Sequence, residues 1–322
     1  MNSGIGSISV QSGDNLFGLG ERRGCYSSQL IADPLGASDW RMMTRKSGLA
    51  LLALLISTTA VVVWLDSYFE EGDAEAISSL SGHLSAHSVL AVFAHPDDEI
   101  LAAGSLADAA SRAGTVVRMI TVTRGEGGTL DEEAICRAED LGLVRHAELL
   151  KHGFQLGVID QQVWRYADGE VESDVDEVAL ELVREIRSIR PDLLVTFDPA
   201  SGYTFHPDHR AVGAATTRAR SLAADPEFRP DLGPVHQVRF LAYILAPRAL
   251  MKAFAGERGL TVVRHQVPPR YSVPIDVSVK TRGWSIHESQ AGYMRRVWGV
   301  PPWLLYLFFD KEHYAVVESR GT

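Results

Sequence analysis

Two short runs of the chain combine histidine with carboxylates in a pattern that suits metal chemistry. The first run is His95-Pro96-Asp97-Asp98-Glu99, and the second is His206-Pro207-Asp208-His209. Three carboxylates placed so close together repel one another, and a metal ion both neutralises such groups and uses them as ligands. The two runs together therefore predict a metal site.

The spacing within each run allows two side chains to face one site. Residues three apart share a helix face, so His95 can act with Asp98, and His206 with His209. Neither run contains a cysteine. A structural zinc is usually closed by four ligands, often cysteines, whereas a catalytic zinc keeps three protein ligands and an open position. The sequence therefore favours a catalytic zinc, although any one of these histidines taken alone could cap a helix or lie on the surface.

The elements that must position these runs alternate along the chain. Short apolar runs of strand length are separated by longer stretches with helical spacing of apolar residues. The predicted strands cover residues 89–94, 116–123, 192–197 and 240–245, and the predicted helices cover residues 101–113, 132–151, 175–190 and 210–223. This order predicts an α/β fold with a doubly wound, mostly parallel, Rossmann-like sheet and helices on both faces. Ligands bind beyond the carboxyl ends of such strands, which is where both runs fall.

An uncharged segment precedes this alternation. Residues 47–65 can cross about 30 Å of hydrocarbon as one helix, with basic residues before them and acidic residues after them. The positive-inside rule then places the N-terminus in the cytoplasm and the remainder outside. A cleaved signal peptide and a buried core helix are the alternatives. The predicted order is a disordered tail (1–46), a transmembrane anchor (47–65), a linker (66–87) and one globular domain (88–318).

The composition limits the class of partner. The chain has 322 residues, of which 46% are hydrophobic, so it can bury one large core. Acidic residues exceed basic ones by 41 to 31, and no basic cluster is interleaved with aromatic residues, so a nucleic-acid partner is not expected. The two cysteines lie on opposite sides of the apolar segment, which argues against a disulfide between them.

Over residues 88–316 the sequence resembles the PIG-L/LmbE family of zinc-dependent N-acetylglucosamine deacetylases. The family motif A-H-P-D-D-E is matched by Ala94–Glu99, and the motif H-P-D-H is matched by His206–His209. Weaker matches are the run 123–128, the pair Arg137 and Glu139, and the run 287–290. The resemblance implies that residues 88–318 form a deacetylase domain with one zinc ion per chain, for which Fe(II) is the alternative ion.

The resemblance also implies roles for individual residues. The implied zinc ligands are His95, Asp98 and His209. Asp97 is implied to be the general base, because a carboxylate beside a zinc-activated water can accept its proton. His206 is implied to stabilise the tetrahedral oxyanion in a protonated state that Asp208 supports through a hydrogen bond. Arg137 is implied to contact the substrate, and a solvated helix arginine paired with Glu133 or Glu139 is the alternative.

The expected reaction is hydrolysis of the N-acetyl amide of an N-acetylglucosamine conjugate, and a lipid-linked conjugate is one candidate. The apolar run 300–309 either belongs to the core or rests on the bilayer to present such a substrate. Two other functions stay open. One is Fe(II)-dependent oxygen chemistry at His95-Pro96-Asp97, although such sites usually occur on β-barrel scaffolds. The other is a membrane-tethered sugar-lipid binding protein without turnover. The group that carries the sugar is not determined by the sequence.

Overall fold

The computed structural model describes residues 37–130 and 135–319. The strands in this part of the chain are β1 (Glu75–Ala76), β2 (Ser88–Phe93), β3 (Val116–Thr123), β4 (Asp160–Tyr166), β5 (Leu193–Phe197), β6 (Phe240–Leu245), β7 (Tyr271–Pro274) and β8 (Lys311–Glu318). The helices are α1 (Ala37–Phe69), α2 (Leu80–His83), α3 (Ala103–Ser111), α4 (Leu141–Leu156), α5 (Val175–Ile189), α6 (Gly202–Phe205), α7 (Pro207–Ala223), α8 (Arg248–Phe254), α9 (Gly256–His265), α10 (Val277–Ile286), α11 (Glu288–Trp298) and α12 (Pro302–Leu305).

The eight strands form one sheet in the order β1-β7-β8-β6-β5-β2-β3-β4. All neighbouring pairs are parallel except those made by β8, which is antiparallel to β6 and β7. Every residue of 89–93 in β2 and of β5 is buried, so side chains on both faces of the central strands are covered. The predicted α/β fold with a mostly parallel sheet is confirmed.

The direction of winding changes in the middle of the sheet. From β2 the chain adds β3 and β4 on one side, and it then crosses to add β5 and β6 on the other. The switch point therefore lies between β2 and β5, which pair in parallel. A crevice forms beyond the carboxyl ends of strands at such a point, and this is where ligands bind in open α/β sheets.

The four predicted strands match β2, β3, β5 and β6 to within one residue at each end. Four strands were not predicted, and one of them, β1, lies within the expected linker. The strand β4 is the polar edge strand DQQVWRY, and both β7 and β8 alternate apolar and polar residues too weakly to stand out.

One predicted helix began in the wrong place. For the stretch 132–151, residues 131–134 lie outside the described part of the chain, Ala138–Asp140 form a 3-10 turn, and α4 starts only at Leu141. None of Ala138–Asp140 is buried, so the residues directly before Leu141 do not extend the buried stripe of the helix.

The predicted anchor lies within α1. Within α1, residues 47–64 form a helical stretch that is long enough and apolar enough to cross a membrane, and none of this stretch is buried. The predicted tail falls mostly on residues 1–36, which lie outside the described residues. The helix begins at Ala37, earlier than the expected start of the anchor.

The domain starts earlier than residue 88. Within the expected linker, β1 pairs with β7, and the side chains of Ile77, Leu80 and Leu84 are buried in the main core. These apolar residues are spread among polar ones, which is why the stretch resembles a linker in sequence. The structure assigns residues from 75 onward to the domain.

Candidate metal centre

The two histidine-rich runs meet at the switch point of the sheet. The first leaves β2 at Phe93 and enters the 3-10 turn Asp98–Ala102, and the second lies between β5 and α7. Proline occupies the first position of α7, where no backbone donor is needed, and the ring of His206 caps the helix by accepting the N–H of Asp208. Two strand ends and two helical starts therefore direct these side chains to one place.

Three potential ligand atoms converge there. The carboxylate of Asp98 lies 3.4 Å from Nδ1 of His95 and 3.1 Å from Nε2 of His209, and these two nitrogens are 3.3 Å apart. All three side chains are buried. Ligands bound at ~2.0–2.2 Å to a tetrahedral zinc are separated by about 3.3–3.5 Å. The predicted ligand residues are therefore brought together with spacing that fits one zinc ion.

The second nitrogen of each imidazole is held by an acceptor. Nε2 of His95 donates to the carboxylates of Asp168 at 3.0 Å and Asp208 at 3.1 Å. Nδ1 of His209 donates to the carbonyl of Gly202 at 2.9 Å. These bonds leave the lone pairs of Nδ1 in His95 and Nε2 in His209 directed at the shared centre. This is the arrangement by which protein metal sites fix the tautomer of a ligating histidine.

The charge balance of the site also calls for a cation. Burial opposes a charge on His95, but its hydrogen bonds to Asp168, Asp208 and Asp98 raise the pKa of the imidazole well above its usual value. Burial raises the pKa of Asp97 to about 6, against the opposing effect of Arg145. The raised pKa of His95 shows that positive charge is favourable among these carboxylates. The residues present fit a divalent metal.

Asp208 does not have the expected position beside the ring of His206. Its carboxylate accepts hydrogen bonds from His95 and from the backbone N–H groups of Gly169 at 2.7 Å and Val171 at 3.2 Å. Only the backbone N–H of Asp208 reaches the ring of His206. The expected hydrogen bond between the two side chains is replaced by one to His95, because the carboxylate points toward the loop before α5.

The protonation state of His206 also differs from the expectation. Burial, together with the nearby imidazoles of His209 and His95, lowers the pKa of His206 to about 4, so the ring is neutral near pH 7. Its Nδ1 accepts a backbone N–H, so the proton of the neutral ring is carried on Nε2. His206 can therefore act as a neutral hydrogen-bond donor.

Asp97 has an unusual backbone conformation. Its φ of 107° lies in the left-handed region that residues with a side chain rarely adopt. The carboxylate lines the cavity and lies 3.2 Å from the guanidinium of Arg145. A carboxylate with a pKa of about 6 can accept a proton near neutral pH. Such strained residues often lie at functional sites.

The site opens into a cavity of ≈ 320 Å³. Its polar lining comprises residues of the two runs, Asp168, the glycines Gly127 and Gly128, and Gln290. Its apolar lining includes Leu101, Tyr203, Leu250, Trp284, Tyr306 and Phe309. Three cations, Arg258, Lys280 and Lys311, also line the cavity. The cavity therefore combines polar, apolar and cationic groups, which suits a polar ligand that carries an apolar or anionic portion.

Arg137 lies away from this cavity. Its side chain is 73% exposed and pairs with Glu139 at 2.6 Å and Asp140 at 2.8 Å. Arg137 is not among the residues that line the cavity, and the alternative of a solvated, paired arginine describes its position. A different arginine lies at the site.

Arg145 is the functional residue that sequence reasoning missed. It is buried, donates to the carbonyls of Pro96 at 2.6 Å and Gly125 at 2.8 Å, and pairs with Asp97. The sequence contained a signal for Arg145, because Arg145 and Glu148 are charged residues on the face of α4 that is buried. Charged residues on the apolar face of a helix are rarely buried unless they have partners.

Residues 90–220 match the sequence profile of a family described as "PIG-L: GlcNAc-PI de-N-acetylase". A 1D-myo-inositol 2-acetamido-2-deoxy-alpha-D-glucopyranoside deacetylase of Streptomyces scabiei is 36% identical over 187 residues, which cover 51% of this chain and 58% of the relative. A deacetylase of the same description from Frankia casuarinae is 33% identical over 267 residues, covering 75% of this chain and 87% of the relative. The matched region thus spans little more than half of one relative and most of another.

Solved structures share the fold. The N,N'-diacetylchitobiose deacetylase of Pyrococcus horikoshii superposes with a TM-score of 0.60 at 22% identity, covering 75% of this chain and 88% of its own. A 4-carboxy-2-hydroxymuconate hydratase, GalB of Pseudomonas putida, superposes with a TM-score of 0.54 at 17% identity, covering 73% and 98%. One fold therefore accompanies two kinds of chemistry, so the reaction must be argued from the site.

Proposed function

The chain belongs to the PIG-L/LmbE family of de-N-acetylases, and from that premise we propose that it is a zinc-dependent hydrolase of an N-acetylglucosamine conjugate. The products are acetate and the free amino sugar. The observation that carries this proposal is the convergence of His95 Nδ1, the Asp98 carboxylate and His209 Nε2 within 3.1–3.4 Å of one another.

These three residues would hold the zinc ion, and all three line the cavity. When bound, zinc would act as a Lewis acid that activates water and polarises the acetyl carbonyl. Asp168 and Asp208 orient His95 from behind, and the carbonyl of Gly202 orients His209. The chain therefore supplies a preorganised ligand set rather than one assembled on binding.

Asp97 acts as the general base in this proposal. It takes a proton from water as the new carbon–oxygen bond forms, and it delivers that proton to the amide nitrogen as the carbon–nitrogen bond breaks. Arg145 holds the carboxylate in place by an ion pair of 3.2 Å. A base with a raised pKa keeps the proton long enough to return it to the leaving amine, so one residue serves both steps.

His206 acts as a donor to the oxyanion. Because its neutral ring carries the proton on Nε2, it can donate a hydrogen bond without itself being charged. Donors aimed at the developing negative charge lower the barrier most when they are fixed before the reaction. The capping bond to the start of α7 fixes this ring.

The cavity supports a sugar conjugate as the substrate. Gln290, Asp168 and the backbone of Gly127 and Gly128 offer polar contacts of the kind that sugar hydroxyls need. The apolar wall and its cations suit an aglycone with an apolar or anionic portion. The two sequence relatives are named for a conjugate of this sugar with inositol. The apolar lining residues support a lipid-linked form of such a conjugate as one candidate substrate.

We further propose that α1 anchors the enzyme, with the domain on the extracytoplasmic side. The apolar stretch 47–64 supports the anchor. Just after α1, Glu70 pairs with Lys311 at 2.5 Å, and Glu71 accepts the N–H of Arg248 at 2.5 Å. Lys311 lines the cavity, so Glu70 lies beside it. Exposed apolar side chains of Trp303 and Leu307, in the run that the sequence suggested could rest on a bilayer, support a lipid-facing entrance.

The test is acetate release by the purified full-length protein in detergent. The protein is treated with a chelator, and each substrate is then supplied with or without added zinc. The panel is N-acetylglucosaminyl-inositol, N-acetylglucosaminyl-phosphatidylinositol and N,N'-diacetylchitobiose. Zinc-restored release is expected, and preference for the phosphatidylinositol conjugate would support the lipid-linked form. A folded, zinc-loaded protein that binds these compounds and releases no acetate would support a binding protein instead.

A further inference from the structure

Three buried ionisable side chains lie directly behind the candidate metal centre. They are Glu99 from the turn after β2, His152 from α4, and His287 at the end of α10. Oε1 of Glu99 accepts hydrogen bonds from Nδ1 of His152 and from Nε2 of His287, each at 2.6 Å. None of the three is exposed by more than 1%. A carboxylate buried so deeply is stable only with such donors.

The distances identify this cluster as a hydrogen-bonded network. Nitrogen and oxygen ligands that share a zinc ion lie about 3.3 Å apart, whereas 2.6 Å is a charge-assisted hydrogen bond. The outer nitrogens, Nε2 of His152 and Nδ1 of His287, have no hydrogen-bond partner among the described residues. All the hydrogen bonding of these two rings to side chains is thus directed inward, at Glu99.

The other oxygen of Glu99 reaches the general base of the proposed reaction. Oε2 of Glu99 accepts the backbone N–H of Asp97 at 2.9 Å. This is the residue with a φ of 107°, a conformation that persists only where the surroundings impose it. On the other side, Arg145 holds the carbonyl of Pro96 and the carboxylate of Asp97. The Glu99 carboxylate is therefore the partner that fixes the amide of the strained residue.

The network also ties the C-terminal part of the domain to the catalytic turn. A Cβ on Gly283 would lie 2.8 Å from Cε1 of His152, so the glycine allows α10 to pack directly against this ring. Beyond His287, the backbone and hydroxyl of Ser289 bind the carboxylate of Glu148 on α4. Two independent contacts therefore hold α10 and the start of α11 against α4, with Glu99 between them.

We propose that Glu99, His152 and His287 form a positioning network that keeps Asp97 in its left-handed conformation with its carboxylate in the cavity. None of the three touches the substrate or the zinc ligand atoms in this role. The consequence for catalysis rests on the proposed function, because it assumes that Asp97 is the general base. The consequence for the conformation of Asp97 does not depend on the proposed function.

The kinetic test uses a matched pair of variants. His287→Leu removes the donor to Glu99, whereas His287→Gln places an amide nitrogen near the position of Nε2. We expect His287→Leu to lower kcat by about 10- to 100-fold with KM and zinc stoichiometry unchanged, and His287→Gln to restore most of that loss. His152→Leu, with His152→Asn as the control that mimics Nδ1, repeats the test if the first pair does not fold.

A double-variant cycle separates positioning from a general structural effect. In an Asp97→Asn background, His287→Leu should cause no further fall in kcat, because the residue through which it acts is already inactive. An equal fall in both backgrounds would overturn the proposal. So would a His287→Leu protein that keeps the wild-type kcat.

Hydrogen exchange tests the conformation without any substrate. In the full-length, metal-free protein, the peptide containing residues 94–100 should exchange about tenfold faster in His287→Leu than in wild type, and His287→Gln should restore protection. A peptide from β5 should be unchanged. Unaltered exchange at 94–100 overturns the positioning role. If the wild-type protein releases no acetate, the proposed function fails, and the exchange result still decides this inference.

Discussion

Nε2 of His95 donates a hydrogen bond to the carboxylate of Asp208, 3.1 Å away, so a residue of the second run orients a ligand of the first. Acidic residues behind a ligating imidazole raise its basicity and fix its tautomer. Asp208 is itself held by two backbone N–H groups, which makes the orientation rigid. This link explains how two runs 113 residues apart in sequence act as one site.

The first prediction concerns zinc affinity. Asp208→Asn keeps the size of the side chain but removes the charge that orients His95, so we expect zinc to bind about 10- to 100-fold more weakly. Competition with a chromophoric chelator measures this directly. Arg137→Ala is the control, because the exposed Arg137 makes its ion pairs on the surface away from the cavity. Unchanged affinity in Asp208→Asn would show that His95 is oriented by Asp168 alone.

The second prediction concerns pH and stability at Asp97. Burial raises the pKa of the folded carboxyl to about 6, above its value in the unfolded chain, so protonation favours the folded state. This stabilisation is complete below about pH 4 and is lost as the pH rises through about 6. In the metal-free protein above pH 6, Asp97→Asn should therefore raise the free energy of unfolding by up to about 3 kcal/mol relative to wild type, and it should unfold at a higher temperature. At pH 4 the two proteins should differ little.

The same variant should lose activity. Asn cannot accept the proton, so the rate of acetate release should fall by at least about 100-fold. Asn also tolerates a positive φ, which keeps the backbone effect small. Thermal unfolding at pH 4 and pH 8, together with the zinc-restored rate, checks both parts. An active Asp97→Asn enzyme would remove Asp97 from the role of base.

The sequence predicted the parts of the site that follow from strand ends. The strands β2 and β5 were visible as continuous apolar runs, and parallel strands place their carboxyl ends on one edge, so the meeting of His95, Asp98 and His209 followed. Arg145 was missed because its partners depend on how α4 packs against the turn after β2, and the local signal, a charged residue on the apolar face of α4, does not identify those partners.

Side-chain direction was equally hard to predict. The spacing placed Asp208 near both His206 and His95, and only the packing of the loop at Gly169 and Val171 directs its carboxylate to His95. The antiparallel strand β8 was not predicted either. It pairs with β6 and β7, which both lie far from it in the sequence, so its pairing is set by tertiary structure.

The third prediction concerns Arg187, a buried arginine on α5. Its guanidinium donates to six backbone carbonyls in the segment 222–233, which it holds against the domain. Arg187→Met removes the buried, charged donor that these carbonyls share, and we expect a loss of at least about 3 kcal/mol in the free energy of unfolding. Urea denaturation measures it. Arg218→Ala, which breaks an exposed pair with Asp176, should change stability by less than about 1 kcal/mol.

The fourth prediction concerns where the domain begins. Ile77, Leu80 and Leu84 are buried, so each contributes roughly 1.5–3 kcal/mol by leaving water. A fragment of residues 88–322 lacks all three and also lacks the pairing of β1 with β7, whereas a fragment of residues 70–322 keeps both. We expect the longer fragment to unfold in one cooperative transition and the shorter one to be unfolded or to melt at a much lower temperature.

Circular dichroism of the two fragments measures this difference. The variant Leu80→Ala within the longer fragment serves as a graded control, since it should cost about 2–5 kcal/mol without removing β1. The longer fragment also lacks the apolar stretch 47–64, so its zinc-dependent activity on a soluble sugar conjugate should be retained while its activity on a vesicle-bound one falls. Equal activity on both substrates would argue that the anchor does not deliver the substrate to the site.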